Sequence, residues 1–249
     1  MKIIPLLFLS SLILTVSFGS CNKIKKTDAE IERENWIAGF SDSIEFYQER
    51  SRQIESTLEG LNSKINELIS DFELVQNPRE VSGYYLLKGW KDKIPLTSTG
   101  IYARLNENEK LELIATLSGG TFNQIGVTEG GEEFYSEIVP HDQAFNYRHD
   151  RFNTVYFNGG KADTIAEFIA ANRYEKINLQ FIENGKRKNF ALPDNEKNMI
   201  YQTWDLYDYQ CQVKKLQKEL WICSKKIETF RRIMSDEPSV SMPEDSHGI

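Results

Sequence analysis

Cysteine, histidine and proline are scarce: 3, 3 and 7 in 249 residues. Three cysteines exclude a disulfide-stapled scaffold, and three histidines leave little material for a zinc-ligand motif. Positive charge is also in deficit, with 30 Lys plus Arg against 37 Asp plus Glu and a formal net charge of −7. A nucleic-acid partner is not expected, because such proteins carry a basic surface. Apart from the first 20 residues there is no long apolar run, so membrane-spanning helices are not expected. No GxSxG, HExxH or phosphate-loop motif is present; Asn158-Gly159-Gly160-Lys161 lacks the spacing of the last. No cofactor is implied.

The apolar run that does exist is N-terminal. Met1-Lys2 precedes Ile3 to Val16, and Ser17-Phe18-Gly19-Ser20-Cys21 follows. One positive charge, a short apolar core and a small-residue exit describe a secretion signal over residues 1–20. Gly19-Ser20-Cys21 resembles a bacterial lipoprotein cleavage site, which implies lipidation of Cys21 and a membrane partner. The alternative is ordinary cleavage with a free Cys21 thiol. Cys211 and Cys223 then remain, about 18 Å apart on one helix and too distant to bridge each other.

Residues 21–30 read as a linker. From Ile37 to Val75 apolar residues recur at three-four spacing, broken only at Ser51, and a second such seam runs from Met199 to Met234, broken only at Gln202. Sustained heptads of matched length predict an antiparallel two-helix coiled coil over 31–77 and 194–234, ended on the first helix by Asn77-Pro78. One register pairs Ile44 with Phe230, Ile65 with Tyr209 and Ser51 with Cys223, the smallest residues of the two seams. Separate parallel oligomers of each helix are the competing arrangement.

The expected fold class is α+β, with a β-rich head over 80–193 inserted into the coiled coil. Alternation predicts hairpins at 101–117, 124–139 and 177–192, the last turning at Asn184-Gly185. A strand is expected at Thr154 to Phe157, and a short helix from Asp163 to Ala171 capped by Asp163. These elements read as an antiparallel sheet covered on one side by the helix. Residues 235–249 read as a disordered acidic tail.

Chemistry-bearing residues are few. His141, Asp142, His149 and Asp150 lie in a polar stretch and are candidate metal ligands or an enzyme site, against the alternative of a solvated loop. The Lys186-Arg187-Lys188 cluster reads as charge guarding a hairpin edge. On the second helix, Ile200, Trp204, Tyr207 and Cys211 form a second apolar stripe near the head. It is a candidate interaction surface whose first partner is the head itself, an oligomer or foreign protein being the alternative.

A Cys21-type anchor, long heptad helices and a β-rich insert carrying Thr154-Val155-Tyr156-Phe157, the Asp163 helix and the Asn184-Gly185 hairpin together resemble uncharacterised lipoproteins of the Bacteroidetes. The resemblance implies a lipid-anchored protein of the cell envelope and transfers no catalytic residue. Surface-exposed members are acidic after the cysteine; Asn22-Lys23-Ile24-Lys25-Lys26 departs from that and implies the periplasmic side. The function expected is a non-catalytic binding, spacer or scaffold module for an envelope protein or glycan. An envelope enzyme using the His141–Asp150 loop and a chaperone-like clamp are the alternatives.

Overall fold

The computed structural model describes residues 26–76, 82–93 and 98–235. Helix α1 spans Asp28–Ile69. Thr27 starts it with a capping box, its hydroxyl accepting from the Glu30 N–H while the Glu30 carboxylate accepts from the Thr27 N–H. Strands β1 (Phe72–Val75), β2 (Tyr84–Leu87), β3 (Gly100–Asn106), β4 (Leu111–Ser118), β5 (Gln124–Glu129), β6 (Glu132–Tyr135), β7 (Asn146–His149) and β8 (Phe152–Asn158) follow. Helix α2 (Gly160–Ala171), strands β9 (Asn178–Glu183) and β10 (Lys186–Ala191) and helix α3 (Asp194–Ser235) complete the chain.

The protein is α+β with two antiparallel sheets, a six-stranded one in the order β1-β2-β3-β4-β8-β7 and a four-stranded one in the order β10-β9-β5-β6. The three expected hairpins are β3–β4, β5–β6 and β9–β10, the last turning on Asn184 and Gly185, both at positive φ. A single sheet is thus corrected to two. Hairpin pairing is local, whereas the pairings of β4 with β8 and β5 with β9 that sort the hairpins join distant strands.

Three further expectations are corrected. The first helix begins at Asp28 and stops at Ile69, and the seam positions Phe72 and Val75 belong to β1. The Ser70 and Asp71 amides bond back to Glu67 and Leu68 and close the helix, after which Phe-Glu-Leu-Val pairs with β2. The Asn77-Pro78 stop lies outside the described residues, as do Cys21, the signal and the acidic tail. The polar stretch from His141 contains β7, paired along the edge of β8. Helix α2 starts three residues before Asp163, after Gly159 at φ 97°, and has no side-chain cap.

The core lies between the sheets and beneath α2. Ala103, Leu113 and Phe157 sit opposite one another across β3, β4 and β8, and period-two neighbours Ile101, Leu105, Ala115 and Val155 are sealed with them. Phe122 bridges to the second sheet, with ring centroids 6.4 Å from Phe157 and 4.8 Å from Phe181. Ile165, Ala166 and Ile169 of α2 close the same core, and Phe134 of β6 meets Phe168 at 4.9 Å.

Helix α3 changes role along its length. Met199, Ile200, Thr203 and Leu206 are buried against the head, and Met199 and Glu196 meet the part of β3 that β2 does not cover. Glu196 accepts the Ile101 N–H at 2.9 Å and the Met199 sulfur accepts the Ala103 N–H at 3.2 Å, so two free edge donors are satisfied by helix side chains. Farther on, α3 packs along α1. Lys64 lies over Tyr209 at 5.1 Å, Arg50 pairs with Glu219 at 2.6 Å, and Phe230 sits 5.4 Å from Phe40 and 6.1 Å from Tyr47. These contacts run in opposite chain directions, so the two helices are antiparallel. Seam residues of α1 from Ile37 to Leu68 are buried or half-buried, while most positions between them are exposed.

Candidate functional site

The 139–153 region is built by its own polar side chains. One carboxylate oxygen of Asp142 accepts from the backbone N–H groups of Ala144, Phe145 and Asn146 at 2.8, 2.5 and 3.2 Å. Those bonds, the Phe145 amide first, hold its carboxyl below the ordinary range. Asn146, almost wholly buried in β7, donates through its amide nitrogen to the carbonyls of Phe122 (3.2 Å) and Val139 (2.8 Å). Its amide oxygen accepts from Asn153 of β8 at 2.9 Å, and Asn153 in turn accepts the Phe122 N–H at 2.8 Å.

His141 fills the remaining corner, with Nδ1 3.0 Å from the Asn146 amide oxygen and Nε2 2.9 Å from the Glu183 carboxylate on β9. Burial raises the Glu183 carboxyl, but hydrogen bonds from Thr121 and His141 and the nearby Arg148 charge outweigh it and leave it below its ordinary value. His149 is 80% exposed on its side chain and meets only Asp150, at 3.7 Å, where Asp150 turns the chain at φ 53°. Of the four candidate ligands, Asp142 is committed to a turn, His141 to a bridge, and His149 with Asp150 to the surface. Among the described residues no three His, Cys, Asp or Glu side chains stand together as a metal site.

The second-helix stripe is an internal joint. Ile200 is fully buried, Trp204, Tyr207 and Cys211 are half-buried, and the Trp204 and Tyr207 rings lie 5.6 Å apart. The Tyr207 hydroxyl donates to Asp163 of α2 at 2.9 Å. Burial raises both groups above their ordinary values, and the shared bond pulls Asp163 part of the way back. At the far end of α2, the Arg173 guanidinium lies 3.6 Å from the Tyr201 ring and 4.6 Å from that of Tyr174.

Two clusters escaped the sequence reading. Arg104 and Glu112 are directly opposed across β3 and β4 and paired at 2.7 Å, with Asn106 donating to the other Glu112 oxygen at 3.1 Å. The guanidinium stands 4.1 Å from the Tyr84 ring and 5.3 Å from that of Tyr156, a hydroxyl that burial pushes far up. Opposite charges set symmetrically about the 106–110 turn were the available signal. The second cluster is Glu196 against Gly100 and Ile101, where a carboxylate from the first turn of a helix enters a sheet edge. No periodicity announces it.

No protein-family model, curated protein or solved structure matches the chain. Apart from His149 and Asp150, the polar groups described above are engaged in joining elements, and among the described residues of the head the large apolar side chains left facing outward are Leu74, Ile138, Phe145 and Tyr174, at 50, 64, 51 and 82% exposure.

Proposed function

We propose that the protein is a lipid-anchored module of the bacterial cell envelope, anchored through Cys21 and facing the periplasm, whose head binds or spaces rather than catalyses. The observation that carries this reading is the position of α1. It begins at Asp28, seven residues after Cys21, and its 42 residues extend about 63 Å before reaching β1 and the head. Helix α3 returns along it, so an anchor at Cys21 lies at the end of the helix pair away from the head. We read the pair as an antiparallel coiled coil. Phe230 between Phe40 and Tyr47, and Tyr209 beside Lys64, support the register that pairs Ile44 with Phe230 and Ile65 with Tyr209.

No helix among the described residues is long and apolar enough to cross a membrane. Under this reading, membrane attachment depends on acyl chains, and several chains on one cysteine give a stable hold where a single chain does not. Metabolic labelling with a palmitate analogue tests it: the native chain takes up label and sediments with membranes, while Cys21→Ser takes up none and is released. Label-free native protein refutes the anchor. Capture from the native envelope, comparing the native chain with Phe145→Asp, then asks whether a partner is held at the head.

A further inference from the structure

We propose that the helix pair docks a second copy of this chain, the outer face of α1 in one molecule packing on the outer face of α3 in the next. The two faces carry opposite charge. Along α1 ten Asp and Glu stand against four Lys and Arg, whereas residues 209–235 of α3 hold seven Lys and Arg against two Glu. Within each face one quartet repeats the same spacing: Asp42, Glu45, Phe46 and Glu49 on α1, and Lys218, Trp221, Ile222 and Lys225 on α3. Residues at i, i+3, i+4 and i+7 share one stripe of a helix, so each quartet sets an aromatic ring between two like charges. All eight are exposed, with Phe46 at 64%, Trp221 at 62% and Ile222 at 40%.

Laid antiparallel, the stripes put Asp42 against Lys225, Phe46 against Trp221 and Glu49 against Lys218, a ring pair bracketed by two opposite-charge pairs. Inside one molecule they do not meet, because each lies on the side of its helix away from half-buried Ile44 and Tyr47 or buried Cys223. Their present charge partners are exposed neighbours on the same helix, Arg52 for Glu49 at 3.0 Å and Glu228 for Lys225 at 2.7 Å. Such pairs are worth too little to bar a partner. A surface recess of about 630 Å³ beside Phe46, lined in part by Glu45, Glu49 and Gln53, receives the indole. The chain itself supplies the complementary stripe at the same spacing, which an anionic lipid surface does not. Because α1 and α3 are antiparallel in each molecule, an antiparallel contact between copies leaves their heads at the same end. The stripes lie on opposite sides of the pair, so the contact is heterologous and runs on from copy to copy instead of closing. With one stripe per contact it is small and salt-sensitive.

Sedimentation of the full chain in density-matched non-ionic detergent tests the contact. The native mass is expected to at least double between about 1 and 100 µM at low salt, and to return to that of the monomer at about 0.5 M salt. Asp42→Lys with Glu49→Lys gives a chain with two basic stripes, and Lys218→Glu with Lys225→Glu gives one with two acidic stripes. Each alone keeps the native helix content by circular dichroism and stays monomeric, while an equimolar mixture of the two regains the native association. A native chain that stays monomeric overturns the proposal, and its binding to phosphatidylglycerol vesicles through Lys218 and Lys225 would give the face to lipid instead. Association that persists undiminished in either reversed chain, or that fails to return on mixing, overturns it as well.

Discussion

Replacing Glu196 by Gln should stabilise the protein, and more so as pH rises. The Glu196 side chain is 8% exposed overall and stands where the first residues of α3 meet the free edge of β3. Its one carboxylate oxygen accepts the Ile101 N–H, and the other lies where a Cβ on Gly100 would be only 2.7 Å away. Burial pushes the carboxyl from 4.5 up to about 7, the Ile101 hydrogen bond recovering part of the cost. The folded protein therefore holds this proton more tightly than the unfolded chain does. Stability associated with the group is full below the unfolded value and is lost as pH climbs from about 4.5 to about 7. At about 1.4 kcal/mol per pH unit, the ionised group burdens the fold by about 3 kcal/mol at pH 8 and by less than about 0.5 kcal/mol at pH 4.5. Glutamine retains an acceptor for the Ile101 N–H but gives up a hydrogen bond to a charged group, so a net gain of about 1–3 kcal/mol is expected at pH 8. Urea unfolding at pH 4.5, 6 and 8 measures it, with the midpoint rising at constant slope. A gain of equal size at all three pH values, or a loss at pH 8, refutes the reasoning.

Other substitutions probe other joints. Arg104→Leu leaves the half-buried Glu112 carboxylate with only the Asn106 amide as partner and should cost about 2–4 kcal/mol in the same assay. Gly126→Ala places a methyl 2.8 Å from two atoms of the Tyr135 ring, and should cost about 1–3 kcal/mol, a penalty that Tyr135→Ala in the same chain relieves. Ser51→Cys should form a disulfide with the native Cys223 under mild oxidation, seen as a mobility shift on a non-reducing gel. Failure to cross-link counts against the register proposed for the helix pair.

The helix pair and the hairpins were legible in the sequence because their signals are local. A three-four repeat or a period-two run is written in neighbouring residues, and Asn184-Gly185 carries the φ requirement of its turn. The end of α1 was misread for the same reason. Phe72 and Val75 continue the three-four spacing by coincidence, and Ser70-Asp71 breaks the helix without a Gly or Pro to mark it. Strand β7 looked like loop because it is a sheet edge, where Asn146 points inward and serves as a hydrogen-bonding hub in place of an apolar residue. Asp163 looked like a helix cap, yet its carboxylate serves Tyr207, 44 residues away. The same distance problem hid the site. His141 stands out for its chemistry, but its partner Glu183 lies 42 residues on, in a strand whose sheet membership no local pattern reveals.

The two helices enter the head by unequal routes. Helix α1 feeds, after a two-residue break, into β1, a four-residue strand at the margin of the six-stranded sheet, whereas α3 is embedded in the core through Met199, Ile200 and Leu206 before it leaves. A pull delivered along α1 loads a four-residue ladder on β2, held in the core by Phe72 and Val75. A pull along α3 must shear a packed interface all at once. The helix that begins near Cys21 is thus the compliant leg of the molecule, and the returning one is the strut that fixes the head's orientation.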